Sequence, residues 1–150
     1  MVCNLCPRRC GALRTETEGR GVCRMPEAPV VARAALHQWE EPCISGTSGS
    51  GTVFFSGCTL KCVFCQNHPL SHENFGKEIS VERLSEIFLE LQEKGAHNIN
   101  LVTATQYLPS IRKALELAGP ALWIPVVYNS GGYERVETIR EFSGCIDIWL

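Results

Sequence analysis

Two tight clusters of cysteines constrain this chain most, because they hold seven of the nine cysteines among its 150 residues. One cluster has the spacing C-x3-C-x2-C and the other C-x2-C-x3-C-x12-C. Their members are Cys58, Cys62 and Cys65 in the first, and Cys3, Cys6, Cys10 and Cys23 in the second. The total is odd, and we expect no signal peptide, because residues 1–6 lack a basic region followed by an apolar one. This pattern favours metal binding in a reducing compartment over disulfides.

The first cluster lies on one short loop, and such spacing lets a loop wrap a single iron–sulfur cluster. Three thiolate ligands leave one iron without a protein ligand, and an open position is what a chemically active metal needs. Gly57 allows the backbone to turn closely just before Cys58. Three alternatives stay open at this point: a closed zinc site completed by His68, a loose group of thiols, and a redox pair.

The second cluster surrounds Pro7, Gly11 and Gly21, residues that favour turns. Its four thiolates fit either a structural zinc site or a second iron–sulfur cluster, and the spacing does not choose between them. Thiols that bind no metal are the third alternative.

The chain after residue 51 alternates between strand and helix patterns, which predicts an α/β protein with a parallel sheet. We expect the helix over residues 80–94 to be capped by Ser80 and to bury one apolar face. In the last helix we expect Val136 and Ile139 to point inward. Residues 30–39 fit a strand or a short helix, and residues 44–51 read as a Ser/Gly-rich loop. The expected strands are 52–55, 98–102, 123–128 and 146–150, and the other expected helices are 110–118 and 133–142.

These patterns divide the chain into a cysteine-rich metal-binding segment, residues 1–50, and an α/β domain, residues 51–150. Functional groups are expected beyond the carboxyl ends of the strands, and the Cys58 cluster follows the first strand there. The last residues, 146–150, lie inside an apolar strand, so we expect a truncated domain. The net charge is -2 without a basic block, and no apolar run could span a bilayer. We therefore expect a cytoplasmic protein without nucleic-acid or membrane partners.

The loop with Phe64 just before its last cysteine resembles the signature of the radical S-adenosylmethionine (SAM) superfamily. The run from Gly49 to Cys58 reads GSGTVFFSGC, and it continues after Cys65 with Gln66 and Asn67. This longer run is similar to the branch related to pyruvate formate-lyase activating enzymes, in particular to members with an extra N-terminal cysteine motif. The resemblance extends through essentially all 150 residues.

The resemblance implies a partial radical SAM (βα) barrel of four parallel strands and three helices. It implies that Cys58, Cys62 and Cys65 bind a [4Fe-4S] cluster and that Phe64 lies near the adenine of SAM. Relatives have a Gly-Gly-Glu segment that holds the SAM amino group, where this chain has Thr103-Ala104-Thr105-Gln106. Thr103 and Thr105 are thus candidate ligands of SAM, or else caps of the following turn.

Asn129 begins a second such segment, Asn129-Ser130-Gly131-Gly132, which follows the third strand. It is a candidate contact to the SAM ribose or carboxylate. The alternative is a glycine-rich turn in which Ser130 caps a helix.

The activity implied by the resemblance is reductive cleavage of SAM at the cluster, which starts hydrogen abstraction from a protein or a small molecule. Activation of a protein substrate is the role of the related branch, with a flavodoxin or ferredoxin as electron donor. However, activating enzymes carry an Asp and an Arg around the glycines before the first strand. This chain keeps Gly49 and Gly51 but neither charged residue. The alternatives are a zinc-stabilised, non-catalytic binding module and an inactive truncated fragment.

Overall fold

The structure, a computed structural model, describes residues 2–150. Met1, the first residue of the predicted cysteine-rich segment, lies outside the described residues.

The strands, numbered along the chain, are β1 (Val2–Cys3), β2 (Ala12–Leu13), β3 (Val30–His37), β4 (Ser50–Phe55), β5 (Lys77–Glu78), β6 (Ile99–Val102), β7 (Val126–Asn129) and β8 (Ile148–Trp149). The helices are α1 (Pro42–Ser45), α2 (His68–Ser71), α3 (Val81–Glu93), α4 (Leu108–Ala118) and α5 (Val136–Phe142).

A six-stranded sheet in the order β5-β3-β4-β6-β7-β8 forms the centre of the fold, and β1 and β2 form a separate two-stranded sheet. Strands β4, β6, β7 and β8 run parallel to one another, whereas β3 is antiparallel to β4 and β5 is antiparallel to β3. The predicted α/β class with a mostly parallel sheet is confirmed. The sheet has six strands in place of the predicted four, because two antiparallel strands extend it beyond β4.

Strand β3 resolves the ambiguity of residues 30–39. Its alanines favour a helix locally, but antiparallel pairing with β4 from Val31 to His37 fixes the extended conformation. Strand β5 has only two residues, too few for a sequence pattern to reveal it.

The predicted loop over residues 44–51 is wrong at both ends, because Ile44 and Ser45 end α1, and Ser50 and Gly51 begin β4. The buried side chain of Asn98 bonds to both ends of this segment. Its Nδ2 donates to the Ile44 carbonyl at 2.7 Å, and its Oδ1 accepts from the Ser50 hydroxyl. These bonds give the Ile44 carbonyl and the Ser50 hydroxyl partners inside the protein, so both ends of the Ser/Gly-rich segment can be buried.

Helix α3 begins and ends as predicted. The Ser80 hydroxyl accepts from the backbone N–H of Arg83 at 3.1 Å, and Gly95 follows the helix with a φ of +88°. The predicted apolar face is buried in the core, with Val81 partly covered and the others nearly inaccessible: Leu84, Ile87, Phe88 and Leu91.

Helix α5 differs from the prediction. It begins at Val136, three residues later than expected, and its buried side chains are Thr138 and Phe142. Val136 and Ile139, predicted to point inward, are 58% and 37% exposed. The Thr138 hydroxyl donates to the Leu5 carbonyl at 2.7 Å, so the N-terminal segment covers a polar face that periodicity could not identify.

No helix among residues 2–150 combines the length and the apolar character needed to cross a bilayer.

Candidate functional site

Three loops meet at one edge of the sheet, where the neighbouring parallel strands β4, β6 and β7 end. The loops comprise residues 57–67, 103–106 and 130–134. Carboxyl ends of parallel strands share an edge, and open α/β sheets bind ligands there. The loops surround a cavity of about 500 Å³.

The structure brings every residue predicted for the iron–sulfur and SAM sites to this cavity. Its walls contain Cys58, Cys62, Cys65, Phe64, Thr103, Thr105 and Asn129. Phe64 lies on the rim with 86% of its surface exposed. The individual roles of these residues remain predictions, but their juxtaposition is a property of the fold.

The cysteine loop begins at Gly57, whose conformation demands glycine. Its φ is +73°, and a Cβ atom there would lie 2.2 Å from Cγ of Met25. The backbone N–H of Gly57 donates to the Leu70 carbonyl at 2.8 Å, and that of Cys58 donates to the Ser71 carbonyl at 3.2 Å. Helix α2 thus folds back and closes the loop at its base.

Two of the three sulfur atoms have a polar group beside them. The Leu60 N–H donates to Sγ of Cys58 at 3.4 Å. The Ser71 hydroxyl lies 3.3 Å from Sγ of Cys65 and 2.7 Å from Nδ1 of His72. Polar groups beside ligating sulfur atoms tune a cluster bound to them. The donor set therefore fits an iron–sulfur cluster that keeps one iron open.

His68 does not contribute to the cavity wall. Its Nδ1 lies 3.2 Å from Oε1 of Glu73, and its ring stacks on His72 at 4.3 Å. Within residues 2–150, no three His, Cys, Asp or Glu side chains are arranged to hold a single metal ion. In a cubane each thiolate binds a different iron, so its sulfur atoms lie farther apart than those around one ion.

Gln106 ties two of the loops together although it is almost completely buried. Its Nε2 lies 3.0 Å from the Ser56 carbonyl oxygen, 2.8 Å from that of Thr103 and close to that of Gly57, so its two hydrogens are shared among three acceptors. Its Oε1 is also buried and has no partner among the described residues. An unpaired buried acceptor costs free energy, so this atom suits a site where a ligand donates to it.

Glu134 is a site residue that the sequence did not reveal. The half-buried carboxylate accepts from the hydroxyls of Thr105 and Ser130, both at 3.1 Å. The Tyr128 hydroxyl lies 2.7 Å from that of Thr105 and 3.4 Å from the carboxylate. Burial raises the pKa of Tyr128, which therefore remains a neutral donor. The contacts of Glu134 with Thr105, Tyr128 and Ser130 join residues 29, 6 and 4 positions apart, and no sequence motif marks a single glutamate of this kind.

The capping alternatives do not describe these loops. The turn over Thr105–Tyr107 and helix α4 have no side-chain cap, and Thr105 bonds Tyr128 and Glu134. The Ser130 hydroxyl accepts from the Gly132 N–H within its own turn, while α5 begins at Val136, six residues after Ser130. Thr103 has a φ of +61°, a strained conformation for a β-branched residue, and such strain is frequent at ligand sites.

The four N-terminal cysteines line a second, smaller cavity, and Thr59 and Gln106 form part of its wall. All nine cysteines are free thiols. Burial, the main cause, raises the pKa of Cys6 and Cys23, so these thiols stay protonated at neutral pH unless a metal binds. Because Thr59 and Gln106 also line the larger cavity, the two cysteine clusters lie next to each other.

A further hollow of about 600 Å³ lies near Val126, the first residue of β7. It contains Arg112 and Asp147 but none of the residues predicted for the site. Because it lies at the amino end of the strand, it is not where this type of sheet carries its chemistry.

Comparison with known proteins identifies the family. Residues 52–149 match the Radical SAM superfamily, and the chain belongs to that superfamily. Membership implies a [4Fe-4S] cluster and SAM as cofactors. The chain is also similar to a protein of Methanocaldococcus jannaschii named "Uncharacterized protein MJ0674", with 36% identity over 157 aligned positions. The alignment covers 99% of the chain but 44% of that protein, so the chain spans less than half of this relative. No solved structure matches the chain.

Replacement of Gln106 tests the tie between the loops. We expect Gln106→Leu to lower the free energy of unfolding by about 2 kcal/mol, because buried carbonyls of Ser56, Gly57 and Thr103 lose their donor. Urea unfolding of the chain measures this change. The matched control is Gln38→Leu, which removes one exposed bond to Ser48 and should change stability by less than about 0.5 kcal/mol. If the two variants lower the free energy of unfolding equally, Gln106 does not hold the two loops together.

Proposed function

We propose that this chain is the cofactor-binding part of a radical SAM enzyme that reductively cleaves SAM to start hydrogen abstraction. One observation carries the proposal: three thiols of one loop and a half-buried carboxylate face the same cavity beyond parallel strands. In the proposed site Cys58, Cys62 and Cys65 bind a [4Fe-4S] cluster. The cluster supplies one-electron reduction of the sulfonium, and the protein supplies binding and orientation.

Glu134 is the proposed acceptor for the ammonium group of SAM. A carboxylate is a strong acceptor for a cation, and the hydroxyls of Thr105 and Ser130 hold this one in the wall formed by the third loop. It would replace the acidic residue that this chain lacks among Thr103–Gln106. Asn129 and Thr103 are proposed to contact the polar parts of SAM, and exposed Phe64 to cover the adenine.

The finer assignments are also proposals. The run from Gly49 to Cys58 supports the branch related to pyruvate formate-lyase activating enzymes, with a protein as substrate and a flavodoxin or ferredoxin as donor. The absence of that branch's Asp and Arg argues against glycyl-radical activation itself. The parallel strands β4, β6, β7 and β8 with their helices are proposed to form the first part of a (βα) barrel.

Iron and sulfide content tests the ligands. After anaerobic reconstitution, Cys58→Ala, Cys62→Ala and Cys65→Ala should each bind about four fewer iron atoms per chain than the unaltered protein. The control is Cys43→Ala, which removes an exposed cysteine outside both clusters and should leave the iron content unchanged. If the three variants keep the iron content of the control, these cysteines are not the ligands.

Affinity for SAM tests the role of Glu134. Glu134→Gln keeps the shape of the side chain but removes its charge, so we expect SAM to bind the reconstituted protein at least about tenfold more weakly. Equilibrium dialysis measures the affinity, and Glu93→Gln on the exposed face of α3 is the control.

The iron content of Glu134→Gln must equal that of the control for the comparison to hold. Unchanged affinity with a full cluster would remove Glu134 from the SAM site while leaving the cluster assignment intact.

A further inference from the structure

The N-terminal segment, residues 2–29, has almost no hydrophobic core of its own. Its regular structure consists of the two-residue strands β1 and β2. Its buried apolar side chains are Met25, two prolines and three cysteines: Pro26, Pro29, Cys3, Cys6 and Cys23. Segments of this size need a cross-link or a metal to stay folded, and all four cysteines here are free thiols.

Two tight turns direct the cysteines toward one another. The Arg9 N–H donates to the Cys6 carbonyl at 3.0 Å, and the Arg24 N–H donates to the Gly21 carbonyl at 3.0 Å. Arg9 and Arg24 both have positive φ angles, +42° and +58°, so each turn is held in a conformation that side chains rarely adopt. The turns bring all four thiols of the segment to one cavity, where Cys10 is exposed and gives access from solvent.

We propose that Cys3, Cys6, Cys10 and Cys23 hold a second, thiolate-bound metal centre that braces the loop of the first. The shared chemistry is a thiophilic centre, either a zinc ion or an iron–sulfur cluster. Among residues 2–150 no three His, Cys, Asp or Glu side chains surround a single ion site, so a zinc ion requires these sulfur atoms to move closer together, whereas a cluster accepts a wider spacing. Metal binding would draw the four sulfur atoms to ligating distance and fix the fold of the segment, as in other small metal-dependent domains.

Arg8 carries the brace to the first cysteine loop. This residue lies between Cys6 and Cys10, so a metal bound to them fixes its backbone. Its Nε donates to the Thr59 carbonyl at 2.9 Å, and its Nη2 donates to the Leu60 carbonyl at 3.1 Å. Both carbonyls belong to the three-residue stretch between Cys58 and Cys62. Bonds from a charged donor are among the stronger hydrogen bonds in proteins.

The same segment also contacts the third loop and the start of helix α5, on the other side of the cavity. The Thr138 hydroxyl donates to the Leu5 carbonyl at 2.7 Å, and the Arg135 guanidinium donates to the Asn4 carbonyl. The Arg8 guanidinium carbon lies 5.7 Å from the centre of the Tyr133 ring. Residues 4–8 therefore connect the cysteine loop to the residues around Glu134, and loss of the N-terminal metal should loosen both.

The N-terminal metal centre can be tested by metal analysis of a variant that lacks the cysteines of the Cys58 cluster. The triple variant Cys58→Ala, Cys62→Ala, Cys65→Ala should retain about one zinc ion, or one cluster of iron and sulfide, per chain. Zinc and iron identify the two forms of the centre. A further Cys6→Ala, Cys23→Ala change should remove that metal, whereas Cys43→Ala should not. A triple variant without bound metal overturns the proposal.

Hydrogen exchange tests the brace, because the N–H groups of residues 57 and 58 are bonded to α2. In the triple variant, removal of the N-terminal metal with a chelator should speed exchange of residues 57–71 about tenfold. Arg8→Met should have the same effect while the metal stays bound. Arg20→Met is the control, because Arg20 in the same segment pairs only loosely with Glu18 at 3.9 Å.

Unchanged exchange in Arg8→Met with the N-terminal metal present would overturn the brace. Neither experiment uses the first cluster or SAM, so failure of the proposed enzymatic function would leave both results interpretable.

Discussion

Parallel pairing of β4, β6 and β7 is the constraint on which the rest of the site depends. The register pairs Phe54 with Val102 and Val102 with Asn129, so the three strands end at the same level. The loops that follow must therefore meet, and Gln106 locks two of them together through carbonyls on both. The hairpin-like base of the cysteine loop adds a second restraint, because Gly57 can turn sharply against Met25. Together these contacts give three separate sequence motifs a common cavity.

Much of the fold follows from local patterns. Helix α3 has a cap, a stop signal and a clear apolar face, so Ser80, Phe88 and Gly95 were sufficient to predict it. Helix α5 is short, and contacts with residues 4 and 5 bury its polar Thr138, so its periodicity was misleading. Strand β3 became recognisable only through its pairing with β4. Sequence reasoning fails where a distant segment decides which face of an element is covered.

The candidate site divides in the same way. The spacing of Cys58, Cys62 and Cys65 identified a metal loop, because short ligand spacings leave a direct trace in the sequence. Glu134 and Arg8 carry no such sequence signal. Their partners are distant along the chain, and for Arg8 they are backbone carbonyls, which every loop contains. The role of a single carboxylate or guanidinium becomes visible only in the fold, where the cavity it faces or the carbonyl it bonds is known.

The most direct measurement is electron paramagnetic resonance of the anaerobically reconstituted and reduced chain, with and without SAM. Binding of SAM to an open iron changes that iron's coordination, so the account predicts a [4Fe-4S] spectrum that shifts when SAM is added. The variant with Cys58→Ala, Cys62→Ala and Cys65→Ala should lose that SAM-dependent signal. A signal indifferent to SAM and to the three substitutions, or a chain that binds zinc alone, would contradict the account.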